Sequence, residues 1–256
     1  MFKAIRIFIL LVILLFVALD AWLSQLRSTD WNNSLWVTVY PINTNGGDAT
    51  DQHIRTLSSE TFESVERFFT RETERYGVAL DRPVRIKLGP EVNEQPPALA
   101  DRPNVFSIML WSLRMRWWAG SVTDGLDDIA PDIKIFVRYH VPAEQLALED
   151  SIGVQKGMYG IVNAFTGRAS QQRNNVVIAH ELLHTIGASD KYLPATNQPL
   201  VPIGLGEPGR VPLYPQRVAE IMGGRIALTS YDAVMPDSLK EVVIGPETAL
   251  EIGLRR

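Results

Sequence analysis

The sequence predicts an α+β fold: a mixed, twisted sheet packed by a long amphipathic helix and by a second helix bearing two histidines, then a smaller, irregular C-terminal lobe. Three observations lead there. Short apolar runs that read as strands recur at residues 34–42, 84–88, 133–141 and 158–165. Apolar residues at helical spacing fill the interval between the first two runs and return after the last. Beyond residue 190, Pro194, Pro199, Pro202, Pro208, Pro212 and Pro215 interrupt any regular pattern.

A chain of 256 residues is long enough to bury a substantial core. The pattern divides it into an N-terminal segment and linker, 1–30, and one domain, 31–256, whose upper lobe is 31–190 and lower lobe 191–256. With 25 basic against 29 acidic residues there is no electrostatic case for nucleic acid. The absence of cysteine excludes disulfides and thiolate metal sites, so any metal must be held by His, Asp or Glu.

Residues 5–23 are nearly unbroken hydrocarbon, with Lys3 and Arg6 ahead and only Asp20 near the far end. At about 1.5 Å per residue such a helix just spans a bilayer core. Residues 18–22 lack a clean small-x-small cleavage site, so an uncleaved anchor is expected in preference to a signal peptide. Either way the basic end should stay cytoplasmic and the bulk of the chain be exported, periplasmic or extracellular, as a single-pass membrane protein.

In the first strand, 34–42, Leu35, Val37 and Val39 alternate with other residues before a proline and a Gly-rich turn. Residues 51–76 place Ile54, Leu57, Phe62, Val65, Phe68 and Phe69 at helical spacing among charges, and Gly77 ends the element. A second strand, 84–88, precedes a proline-rich loop, 91–103. Residues 104–120 fit two readings: Met109, Trp111, Leu113, Met115 and Trp117 alternate as in a strand, while the length without a breaker suits a helix. Its apolar residues are expected in the core with the arginines solvated, though Trp and Arg together also suit a bilayer surface. Strands at 133–141 and 158–165 follow, and a short helix is expected near the end of 232–254. His53 and His140 have no metal-like spacing and read as structural or surface residues.

Residues 174–190, NNVVIAHELLHTIGASD, carry the chemistry. On a helix His180 and His184 lie one turn apart on one face, the spacing at which two imidazoles grip one zinc ion. Glu181 falls about 100° round the helix, beside such a metal rather than on it, where a base acting on water belongs. A straight helix would carry Asp190 about 9 Å further along the axis than His184. Gly187 can take the left-handed conformation that ends a helix and folds the chain back, returning Asp190 as a third ligand.

The string HELLHTIGASD resembles the metzincin zinc-peptidase signature, with aspartate in place of the usual third histidine, as in the snapalysin-like branch. The resemblance covers these eleven residues closely and the flanking chain in outline. It implies a metzincin-like fold, with a strand at the cleft edge that pairs with an extended peptide or protein substrate; residues 158–165 are the candidate. It also implies a tight turn with a methionine beneath the zinc. Met222, in the string 221–224 (Ile-Met-Gly-Gly), is the better match and Met235 the second. Some metzincins place a tyrosine two residues after that methionine; Gly224 stands there, leaving Tyr192, Tyr214 and Tyr231 as candidate oxyanion donors. No cysteine-based zymogen switch is possible.

The expectation is thus a zinc metalloendopeptidase with His180, His184 and Asp190 as ligands, Zn as cofactor and Glu181 as general base. An anionic third ligand implies a somewhat less acidic water than three imidazoles would. Two alternatives stand beside it. A gluzincin-like site would take Glu207 or Glu220 as third ligand, and a tethered module would use the metal only as a brace.

Overall fold

Four apolar runs pair into one sheet because each is flanked by polar turns and has too much apolar surface to stay exposed. The computed structural model describes residues 30–98, 105–126, 130–142, 152–154 and 158–255. Strands β1 (Leu35–Asn43), β2 (Val84–Leu88), β3 (Ile133–His140) and β5 (Tyr159–Phe165) run parallel, and β4 (Ile152–Val154) is antiparallel at one edge, giving the order β2-β1-β3-β5-β4.

Side chains alternate between two apolar layers, as the pleat requires. Val37 and Val39 of β1, Ile135 and Val137 of β3, and Val162 and Ala164 of β5 face one layer. Tyr40 and Ile42, Phe136, and Tyr159 and Ile161 face the other. Pro41 is tolerated inside β1 because β2 pairs only as far as Leu88. Beyond that point the Gly89 and Val92 amides donate to the Val39 and Pro41 carbonyls at 2.8 and 2.9 Å, and no ladder bond needs a Pro41 N–H.

Helices α1 (Asp48–Arg55) and α2 (Glu63–Arg75) replace the single helix expected over 51–76. The break falls where Thr56 caps back onto the His53 carbonyl and the Ser58 amide donates to the Thr61 hydroxyl, opening a new 3-10 turn, Ser59–Phe62. Val65, Phe68, Phe69 and Glu72 form the buried stripe of α2. Helix α3 (Val105–Ser121) settles the two readings of 104–120. Its buried residues, Met115, Trp118 and Ala119, recur at helical spacing and pack on the second layer, where Trp118 meets Phe136 at 4.7 Å between ring centroids. Met109, Leu113 and Trp117, which were expected in the core, are exposed.

Helix α4 (Gln171–Thr185) packs against β5 and α2 through Val176, Ile178, Ala179, Leu182 and Leu183. After it come two short antiparallel pairs, β6 (Tyr192–Leu193) with β7 (Gln198–Pro199) and β9 (Ile226–Ala227) with β10 (Ala233–Val234). A parallel pair, β8 (Ala219–Glu220) with β11 (Val242–Val243), leads to helix α5 (Pro246–Glu251). The apolar core runs unbroken from Leu35 into Ile221, Met222, Val242, Ile244 and Ile252, so the lower lobe shares the core of the upper. Buried Glu72 reinforces the seam, accepting from the Ile244 amide at 2.9 Å and from Arg71 and Arg75.

Two further expectations are corrected. The edge strand is β4, not 158–165: β4 covers residues 159–161 of β5, with Gly153 opposite Gly160. A three-residue strand among glycines is too short for its periodicity to register. The second correction concerns membrane localisation. Among the described residues no helix is long and apolar enough to cross a membrane. The most apolar, α3, has 17 residues and carries Arg114 and Arg116, about 26 Å of helix against a hydrocarbon core of about 30 Å. The segment 5–23, on which the single-pass, exported arrangement rested, lies outside the described residues.

Candidate metal centre

The C-terminus of α4 sets the site. Gly187 has φ +109°, in the left-handed region, which lets the Ala188 amide reach back to the Leu183 carbonyl at 3.0 Å while the Gly187 amide donates to His184 at 3.2 Å. The chain therefore reverses at the last turn of the helix. Asp190 comes back to the histidines it would otherwise leave behind.

His180 Nδ1 lies 2.9 Å from the Ile221 carbonyl and His184 Nδ1 lies 2.8 Å from the Ala188 carbonyl. A carbonyl oxygen only accepts, so each Nδ1 donates its proton there and Nε2 is the ring atom left to face the other two residues. The two Nε2 atoms are 3.1 Å apart, and Asp190 Oδ1 is 3.1 Å from that of His184 and 3.3 Å from that of His180. Two ring nitrogens and one carboxylate oxygen thus converge on one point. Zinc bonds of about 2.0–2.2 Å to N and O place tetrahedral ligands about 3.3–3.6 Å apart, within a few tenths of an ångström of this triangle. The residues fit a divalent cation of that size.

Burial of the His180 ring favours its neutral form, but Asp190, Glu181 and the Ile221 carbonyl outweigh it and raise its pKa. Burial also pulls the Asp190 carboxyl upward, yet contact with the two imidazoles holds it well below the usual carboxylate range. Glu181 is buried, and one of its carboxylate oxygens lies within 4.8 Å of ring nitrogens of both histidines.

The turn after β8 backs His180 through the Ile221 carbonyl. Met222 is fully buried, and its carbonyl accepts from the Lys191 amide at 2.8 Å, next to the Ile221 carbonyl that engages His180. Gly223 is required there, since a Cβ would stand 2.2 Å from the Gly204 carbonyl oxygen. Met235, the second candidate for the floor, is exposed.

Glu220 stands apart from the three converging donors. Its carboxylate is buried, accepting from the amides of Gly223 (2.8 Å) and Gly245 (3.0 Å) and from the Thr248 hydroxyl (2.7 Å). Glu207 is held by the amide and guanidinium of Arg217. Of the oxyanion candidates, Tyr231 is 89% exposed, whereas the Tyr192 ring lies 4.0 Å from where a Cβ on Gly224 would be. His140 meets Asn163 at 3.0 Å and the His53 ring packs on Tyr139, outside this cluster.

Sequence reasoning missed Lys191 and Glu251. Lys191 is a buried lysine whose Nζ contacts Glu251 at 2.7 Å, and no motif marks either residue.

No family model matches the chain, and no curated protein matches it. Among solved structures it is similar to a chain of a chaperone–substrate complex, at 13% identity over 86% of this chain and 34% of that one, with a TM-score of 0.42. It is also similar to catalytically inactive OgpA from Akkermansia muciniphila, solved with an O-glycopeptide, at 12% identity over 84% of this chain and 58% of that one, with a TM-score of 0.33. The chain therefore spans less than two thirds of either protein, and likenesses this weak carry no argument about its activity.

Proposed function

We propose that this chain is a zinc-dependent metallopeptidase of the metzincin type, with His180, His184 and Asp190 as ligands and Glu181 as general base. The reading is carried by the convergence of two Nε2 atoms and one carboxylate oxygen at 3.1–3.3 Å. Zinc held there supplies Lewis acidity, polarising a carbonyl and lowering the pKa of a coordinated water toward neutrality.

The protein's own groups do the rest. The Ile221 and Ala188 carbonyls fix both imidazole tautomers and ring orientations. Glu181 accepts a proton from the attacking water as its oxygen bonds to the peptide carbon, and returns that proton to the nitrogen as the C–N bond breaks. Burial of Glu181 keeps competing water from its carboxylate. The antiparallel edge strand β4 suits an extended peptide, which would bind through main-chain hydrogen bonds.

Three protein donors leave one tetrahedral position open, whereas a metal used only as a brace is closed by a fourth side chain. Among the described residues, Glu181 also groups with both histidines, and the reading takes it as the base rather than as a fourth ligand. The test is cleavage of casein or a quenched peptide by the purified protein. Activity lost to a chelator and restored by zinc is expected; activity indifferent to chelation, or none from zinc-loaded protein, refutes the proposal.

A further inference from the structure

Asp190 makes its contacts with the two histidines from a loop, and its side chain is 41% exposed. Its neighbours are held far more firmly, and both by one group. Glu251, the last residue of α5, accepts from the Ser189 amide at 3.0 Å, the Ser189 hydroxyl at 2.5 Å and Lys191 Nζ at 2.7 Å. Lys191 Nζ also donates to the Ser189 carbonyl at 3.0 Å, closing a ring of contacts around the backbone of Asp190. The lysine is 2% exposed, so its ammonium has little water to replace Glu251.

The same helix reaches the other side of the site. Thr248 and the Gly245 amide hold Glu220, whose other oxygen takes the Gly223 amide in the turn that presents the Ile221 carbonyl to His180. Helix α5 therefore touches the supports of two of the three donors, and its contact with Ser189 spans 62 residues of sequence.

We infer that Glu251 is a positioning residue for the third metal ligand: by clasping Ser189 and Lys191 it fixes the direction of the Asp190 carboxylate and couples zinc affinity to the C-terminal helix. The inference rests on the metal reading above. Removing Glu251 leaves Asp190 free to swing into solvent, while the two imidazoles keep their backbone supports.

The experiment is a zinc titration of the full chain against a chromophoric chelator, with the absorption spectrum of the cobalt-substituted protein as a second readout. Glu251→Gln keeps the shape of α5 but loses the charge facing Lys191, and should weaken zinc 10–100-fold, the range found for supports of metal ligands. The cobalt spectrum should shift with it. Ser189→Ala, which removes one hydroxyl from the loop, should weaken zinc several-fold and keeps the test alive should Glu251→Gln not fold. Ile252→Val loosens the packing of α5 without touching Ser189 or Lys191, and should lower Tm while leaving zinc affinity within about twofold. Parent-like affinity and cobalt spectrum in Glu251→Gln, or an equal loss in Ile252→Val, would overturn the inference. Failure of the parent chain itself to bind one zinc would instead sink the metal reading, and the inference with it.

Discussion

Replacing Asp190 by alanine separates the ligand role proposed here from a merely structural one. Asp190 Oδ1 sits 3.1 and 3.3 Å from the two Nε2 atoms, so its removal takes one donor of three and the only anionic one. Binding free energies of about 10–16 kcal/mol for four-ligand zinc sites imply about 2.5–4 kcal/mol per ligand, or a loss of about two to three orders of magnitude in affinity. The fold should be little affected, because the side chain is part-exposed and its contacts are with histidines that keep their own supports. Glu220→Ala should act first on the fold, stranding three buried donors at about 1–3 kcal/mol each and lowering Tm steeply. Competition titration and thermal melts on the two variants give the comparison. Zinc affinity within threefold of the parent in Asp190→Ala, with the fold intact, would refute the assignment.

Glu181→Gln should keep zinc and lose turnover by about 10²–10⁴-fold, which is about 3–5 kcal/mol at the barrier; a variant with full turnover would remove Glu181 from the mechanism. Met222→Ala should cost about 2–5 kcal/mol because the side chain is fully buried; a melt displaced by less than a few degrees would show that the turn is loosely packed. Burial pushes the Glu220 carboxyl above its ordinary range, against three donated hydrogen bonds. Its contribution to stability is complete below the ordinary carboxyl range and is lost as pH rises through the raised value. Glu220→Gln should therefore flatten the fall of Tm across that window in the metal-free protein, and parallel profiles for the two proteins would contradict this.

Helix α4 and the turn after it were legible because two rings one turn apart and a glycine that reverses the chain leave a local pattern. The parallel strands were legible because their apolar residues alternate, as in Val84, Ile86 and Leu88, or run on, as in Ile135, Phe136 and Val137. Helix α3 was not, since Met109, Trp111, Leu113, Met115 and Trp117 satisfy period two, while the residues that pack, Met115, Trp118 and Ala119, satisfy period 3.6. Edge strand β4 is three residues long and gave too few positions to show any period. The break between α1 and α2 rests on Thr56, Ser58 and Thr61, whose side chains compete with the helix for its backbone groups. Glu251 was invisible for another reason: its contact with Ser189 spans 62 residues and exists only once the lower lobe has closed on the upper.

The account turns on whether one ion joins the three donors, and the structure of the zinc-loaded protein by anomalous diffraction at the zinc edge measures that directly. A single peak about 2.0–2.2 Å from His180 Nε2, His184 Nε2 and an Asp190 carboxylate oxygen, with one position left to solvent, is the predicted result. Zinc bound elsewhere, or a fourth side chain closing that position, would contradict it.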